Sequence, residues 1–264
     1  MLVFTQDKKR LLEFFKKDPV LFAYHIGDLD DFYFNDCQWA VTYGYLPYIE
    51  EVILLYTGLK TPTVLAFGLG DGFPALLREM IDILPETFHC HFQATSRGIF
   101  LDHFDEHPLG THWKMKLEHF TPVDRKIPAE KIVRLSRSHE VELLALYEKS
   151  YPDNYFVTRM LDTGKYVGYV EDNRLVAVAG VHVDSDKYGV ATLGNITTDP
   201  DYRGRGLGTI VTSYITARLV SEGKIVCLNV KADNTPAITC YQNLGFVKVH
   251  EHEEALFTWK RRRA

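Results

Sequence analysis

The chain reads as an α/β protein built on a mixed sheet. Three observations predict this. Apolar runs of strand length alternate with helical patterns, the longest of them stay strand-sized, and the two halves of the chain repeat one order of elements. In the C-terminal half that order is a helix, a β-hairpin, then β-α-β-α-β. Ser138 with Val141, Leu143, Leu144 and Leu146 predicts a capped helix to Lys149. Residues 165–171 and 175–183 read as strands around the turn Asp172-Asn173-Arg174. A strand follows over 188–197, a helix over 208–221 and a strand over 225–230. A short helix over 236–243 and strands over 246–250 and 255–259 finish the sheet.

The N-terminal half has helical patterns over 8–17 and 20–30 and a hairpin of strands 39–43 and 48–56. Residues 64–67 form an apolar strand, Gly68-Leu69-Gly70-Asp71-Gly72 a break, and Pro74 starts a helix to Ile83. A strand over 88–93, a helix over 99–104 and a strand over 113–120 complete the series. This matches the other half element by element at low residue identity, as expected of a degenerate internal duplication. The segment 121–131, with Pro122 and Pro128, reads as the linker, giving domains 1–125 and 131–264.

Composition narrows the class. Of the 264 residues, 46% are hydrophobic and 25% charged, which suits a soluble globular chain. The formal net charge of −5 argues against nucleic acid as a partner. Cys37, Cys90, Cys227 and Cys240 form no paired framework, so a reducing, cytoplasmic setting is expected. Lys8-Lys9-Arg10 has no long apolar run behind it, so no signal peptide is expected, and no run is long enough for a membrane span. The basic end Lys260-Arg261-Arg262-Arg263 reads as a solvated tail, or as a contact to an anion.

The most specific signal is Tyr202-Arg203-Gly204-Arg205-Gly206-Leu207-Gly208, between a strand and a helix. Glycines let backbone N–H groups converge, and the helix adds its positive end, so the loop suits a pyrophosphate. Neither the dinucleotide fingerprint nor the P-loop spacing is present. What fits is Arg203-x-x-Gly206-x-Gly208. It is joined downstream by Asn234, Ala237, Cys240-Tyr241 and Leu244-Gly245-Phe246. Together these resemble the acyl-CoA-binding half of the GCN5-related N-acetyltransferases (the GNAT superfamily), over roughly residues 131–260.

The resemblance implies tandem GNAT-like domains. Each would be a mostly antiparallel sheet, flanked by helices and splayed at an acyl-CoA cleft. It implies an N-acyltransferase moving the acetyl group of acetyl-CoA directly to a primary amine in a ternary complex. By position, Ile196, Thr197 and Thr198 would line the thioester, with Thr198 N–H on its carbonyl. The amides of Arg203, Gly204, Arg205, Gly206, Leu207, Gly208 and Thr209 would hold the pyrophosphate. Asn234 would bond the pantetheine arm, Ala237 would be a further cofactor-binding position, and Tyr241 would sit near the sulfur as general acid. The alternative for Tyr241 is a core position, and for Asn234 a helix cap.

In the first half, Gly68, Gly70 and Gly72 lack flanking arginines and Asp71 would repel phosphate, so no CoA is expected there. The alternative is a weakened pyrophosphate loop at 68–72. That half is expected to wall the acceptor cleft, and the aromatic-rich stretch from Tyr24 to Tyr56 is expected to pack.

Many relatives place a glutamate before the loop, but Val190 to Thr198 holds no carboxylate. His182, the run Asp28, Asp30 and Asp31, and Glu50 with Glu51 are the candidate bases, and none is assigned. The missing carboxylate keeps a non-catalytic acyl-CoA sensor as the alternative function. His89, His91, His103, His107, His112 and His119 cluster in sequence, but no metal site is expected from clustering alone. The acceptor is read only as a small-molecule or peptide amine. The acidic balance favours a cationic one, and neither a membrane nor nucleic acid is expected as partner.

Overall fold

The computed structural model describes residues 1–260. In chain order its regular elements are β1 (Val3–Thr5), α1 (Lys8–Phe15), α2 (Ala23–Asp28), β2 (Cys37–Tyr43), β3 (Ile49–Tyr56), β4 (Thr63–Ala66), α3 (Phe73–Met80), β5 (Thr87–Phe92), α4 (Arg97–Leu101) and β6 (Phe104–Leu117). They continue as β7 (Ile132–Arg134), α5 (Glu140–Ser150), β8 (Val167–Glu171), β9 (Arg174–Ser185), β10 (Val190–Thr198), α6 (Leu207–Ser221), β11 (Ile225–Lys231), α7 (Thr235–Asn243) and β12 (Phe246–Trp259). Among the described residues no helix is long and apolar enough to cross a membrane.

The chain divides into two compact units, Met1–Lys114 with the segment from His250 on, and Met115–Val249. This differs from the expected division into 1–125 and 131–264. That division assumed that each unit is continuous in sequence. Instead the far part of β12 pairs with β5, Glu254 opposite His91 and Phe257 opposite Phe88, and so belongs to the first unit.

In the first unit the strands run in the order β1-β2-β3-β4-β5-β12-β6. Neighbours up to β4 are antiparallel and β4 is parallel to β5. Alternation in β5 sends Phe88, Cys90 and Phe92 into a core with Leu76, Leu77, Phe100, Phe104 and Phe257. In the second unit the order is β11-β10-β9-β8-β7. Here β7 to β10 are antiparallel neighbours and β10 is parallel to β11. Val176 to Ala179 are all fully buried, because this stretch is covered on both faces. Along α6, Leu207, Ile210, Val211, Ile215 and Leu219 are buried against the sheet.

Most predicted elements are present with shifted ends. The helix expected over 20–30 is shorter, because only Ala23–Asp28 holds helical geometry. The helix placed over 99–104 lies at Arg97–Leu101, and the strand placed over 113–120 begins at Phe104. The two strands expected at the end are one, since β12 runs unbroken through the polar segment 250–254. Arg261 to Arg263 lie outside the described residues.

Gly245 shows why the turn between α7 and β12 has its sequence. Its φ is +96°, and a Cβ there would overlap the carbonyl oxygen of His119. Its own carbonyl accepts the N–H of Glu118 at 3.0 Å. Gly245→Ala should therefore destabilise the fold by more than about 2 kcal/mol, combining left-handed strain with overlap. Urea denaturation followed by circular dichroism measures it, and a midpoint equal to wild type would refute the argument.

Candidate active site

The site begins with a bulge in β10. The β9–β10 register runs from Gly194 opposite Gly180 to Thr197 opposite Val178, so β10 carries one extra residue. Asn195 takes the left-handed conformation there, with φ +53°. Its carbonyl accepts the Tyr147 hydroxyl at 2.8 Å, its Nδ2 donates to the Tyr166 hydroxyl at 2.9 Å, and its Oδ1 accepts the Tyr155 N–H at 3.3 Å. Burial raises the hydroxyl pKa of Tyr147 and of Tyr166, so both stay protonated donors.

Beyond the bulge β10 leaves β11. Their parallel pairing ends at Leu193 opposite Leu228, while β10 continues to Thr198 and β11 to Lys231. The N–H of Asp199 donates to Val176 of β9 at 2.8 Å. N–H groups alternate sides along a strand, so Thr198 N–H points away from β9, toward the opening. Thr197 instead sends its hydroxyl to Ser150 Oγ at 3.1 Å.

The glycine loop follows. Asp199 accepts the N–H of Asp201 and the ammonium of Lys149, at 3.0 and 2.7 Å. Gly204 and Gly206 both take φ +75°, and Gly206 caps α6. In an α-helix the first N–H groups, here Leu207, Gly208 and Thr209, have no intrahelical acceptor. They carry the positive end of a 15-residue helix. A Cβ on Gly208 would come within 3.2 Å of Thr198 Oγ1, so this glycine lets the helix start approach the end of β10.

The arginines are placed differently from one another. Arg203 donates to the carbonyls of Thr198 and Ser150, at 3.2 and 3.3 Å, and so braces the loop. Arg205 is half exposed, lies over Tyr202 and reaches Glu171 at 3.6 Å. Asn234 accepts the N–H of Ala237 at 3.2 Å and so caps α7. Tyr241 on α7 is buried edge-on against Phe246, and burial raises its hydroxyl pKa, which keeps the proton on it. Cys240 and Thr209 are hydrogen-bonded, tying α7 to the first turn of α6.

Among the candidate bases, His182 is the extra residue of a second register shift, at Thr192/Leu193. Its imidazole fills the space that a side chain at Gly194 would need, and it meets Tyr155 edge-on, 6.3 Å between ring centroids. In the first unit Glu51 accepts the N–H groups of Leu69 and Gly70, at 3.1 and 2.7 Å. That carboxylate satisfies the amides of the loop at 68–72. Burial raises its pKa while these bonds oppose the rise. Sequence reasoning missed both the Asn195 bulge and the Glu51 plug, since each is a long-range pairing without a local motif.

Residues 166–255 match the family described as FR47-like protein. The [ribosomal protein bS18]-alanine N-acetyltransferase of Salmonella typhimurium is 40% identical over 76 residues, 28% of this chain and 49% of that protein. The chain thus spans about half the length of that curated relative. An X-ray structure of a Drosophila protein superposes with a TM-score of 0.73 at 15% identity, over 97% of this chain and 98% of that one. A tandem GNAT protein from the clavulanic acid biosynthesis pathway superposes with a TM-score of 0.59 at 14% identity, over 98% of both chains.

The bulge makes a test. Asn195→Ala loses three side-chain hydrogen bonds in a buried setting, to Tyr155, Tyr166 and Met160, and keeps the left-handed backbone, so a loss of about 2–4 kcal/mol is expected. Asn195→Gly relieves the backbone and should recover about 1 kcal/mol of it. Equal stability of the two variants in urea would show that the left-handed conformation is not retained.

Proposed function

We propose that the chain transfers an acetyl group from acetyl-CoA to the primary amine of a small molecule or peptide, a reading supported by the match of residues 166–255 to the family described as FR47-like protein. The carrying observation is the opening between β10 and β11 beside the first turn of α6. The residues there fit the donor. Free first-turn amides suit a pyrophosphate, and the open space around Gly204 and Gly206 leaves the loop backbone accessible. Arg205 adds an exposed positive charge.

Each step of the transfer has a group of this chain to serve it. Thr198 N–H faces the opening and donates to the thioester carbonyl oxygen, stabilising the charge that grows there. Tyr241, held protonated by burial, gives its proton to the departing thiolate. Asn234 keeps its Nδ2 outside the capping bond and offers it to the pantetheine arm. The amine must lose a proton before it attacks, and we place His182 as the acceptor of that proton, directly or through water. The transfer is direct, within a ternary complex.

The first unit, on this reading, is a degenerate copy of the second. Its strands pair in the same pattern, up to a parallel β4–β5 pair, with a glycine loop directly after β4. Glu51 supplies internally the anion that the loop amides would otherwise bind, so the donor site belongs to the second unit alone.

Calorimetric titration with acetyl-CoA tests the donor site. Micromolar binding is expected, weakened at least tenfold in Gly206→Val, whose side chain strains φ +75°. Tyr241→Phe should keep that binding while slowing CoA release on a reactive amine by about 100-fold. His182→Ala should slow CoA release on a reactive amine by about 100-fold while leaving acetyl-CoA affinity unchanged, measured by thiol release. Binding without CoA release on any amine would favour the sensor alternative, and absence of binding would overturn the donor site.

A further inference from the structure

One polar cluster lies outside the proposed donor site, wholly in the first unit. Phe88, Cys90 and Phe92 of β5 face the core, so His89 and His91 face the other side. Glu254 of β12 stands directly opposite His91 in the antiparallel register. His252, two residues earlier, shares that face. β6, next to β12 in strand order, brings His112 alongside. Side chains from three strands therefore converge, at sequence positions too distant to read as a motif.

The distances are those of a ligand set. His91 Nδ1 and His252 Nε2 lie 3.1 and 3.0 Å from Glu254 Oε1, and His112 Nε2 lies 3.5 Å from Oε2. The ligand atoms of His91, His252 and Glu254 all fall within 4.8 Å of one another. Around a tetrahedral zinc with bonds of about 2.0–2.1 Å, neighbouring ligand atoms stand about 3.3 Å apart. The side chains of His252 and Glu254 are 1% and 7% exposed.

Two features ask for a cation. His112 Nδ1 is 3.0 Å from the Gly110 carbonyl, which can only accept, so Nδ1 carries the proton. His112 Nε2 then is the ring nitrogen that faces Glu254 Oε2. His91 Nδ1 sits beside Glu254 without forming a hydrogen bond among the described residues. A shared cation would satisfy both ring nitrogens and the carboxylate at once.

We infer that His91, His252 and Glu254 bind one divalent transition-metal ion of the zinc class, with His112 positioned at the second carboxylate oxygen. Coordination uses His252 Nε2 in its unprotonated form, with the proton on Nδ1. Two imidazoles and a single carboxylate do not suit calcium or magnesium, which take oxygen ligands. The Lys114 ammonium lies over the Tyr24 ring at 4.8 Å. Its charge opposes ions held by charge alone and leaves those with strong nitrogen bonds. The other carboxylate cluster, Asp184, Asp186 and Glu222, already holds the ammonium of Lys224 and is balanced without a metal.

Titration of the chelator-treated full chain with Co²⁺ tests this. Visible ligand-field bands saturating at one Co²⁺ per chain and displaced by Zn²⁺ are expected. X-ray absorption at the zinc edge of the wild-type protein should show two imidazoles with oxygen. His91→Gln and Glu254→Gln should each weaken binding by more than roughly 100-fold, and His112→Gln by roughly 10–100-fold, as for a residue holding a ligand. His119→Gln, outside the cluster, should change nothing. Absence of bands, a thiolate in the zinc spectrum, or wild-type affinity in His91→Gln would each overturn the site. The wild-type spectrum decides even if a variant does not fold, and none of these readouts depends on acyl transfer.

Discussion

The second unit is organised around one buried residue, Asn195, in a conformation that most residues avoid. The extra residue in β10 shifts the strand's phase by one, which exchanges the side to which each later group points. Without it, Thr198 N–H would face β9, where Val176 to Val178 lie. With it, Asp199 N–H takes the β9 carbonyl and Thr198 N–H is freed to the opening. Tyr147, Tyr155 and Tyr166 hold the bulge from three sides, so the strained backbone is matched by satisfied buried groups.

The helix α6 links this strand to the charges around it. Its N-terminal turn carries free N–H groups near the end of β10. Its C-terminal end is neutralised: Arg218 donates to the Gly164 carbonyl at 2.6 Å, and Lys165 and Lys224 meet Glu222. These partners draw the Glu222 pKa down to about 2, although burial acts in the opposite direction. Lys149 and Asp199 fix the loop itself, and Arg203 ties it to Thr198 and Ser150. The glycine loop is thus braced from within the chain, a condition for binding an anion through backbone groups without a large ordering cost.

What could be read from the sequence was local. The glycine loop announces itself because left-handed backbone at Gly204 and Gly206 and close approach at Gly208 leave little choice of residue. Asn234 and Gly245 mark the two ends of α7 for similar reasons. Strands such as β9 showed as apolar runs. The unit boundary was hidden, because it depends on β12 pairing with β5 across more than 150 residues of chain, roughly the separation at which only tertiary contact decides. The bulge at Asn195 and the carboxylate of Glu51 on the loop at 68–70 were hidden for the same reason.

The segment His250 to Glu254 shows this limit most clearly. Its polar sequence reads as a break between two strands, yet it is the middle of β12, and His252 and Glu254 are buried in it. A strand can carry such residues only if their polar atoms are compensated on the buried face. Here the compensation comes from His91 and His112, on two other strands, and Lys114 adds a positive charge nearby. The charged carboxylate and its imidazoles therefore stand or fall as one group. The same convergence that lets β12 stay a strand through a polar stretch also assembles donor atoms at the spacing of a metal's ligands. Continuity of the strand and composition of the cluster are two consequences of one register.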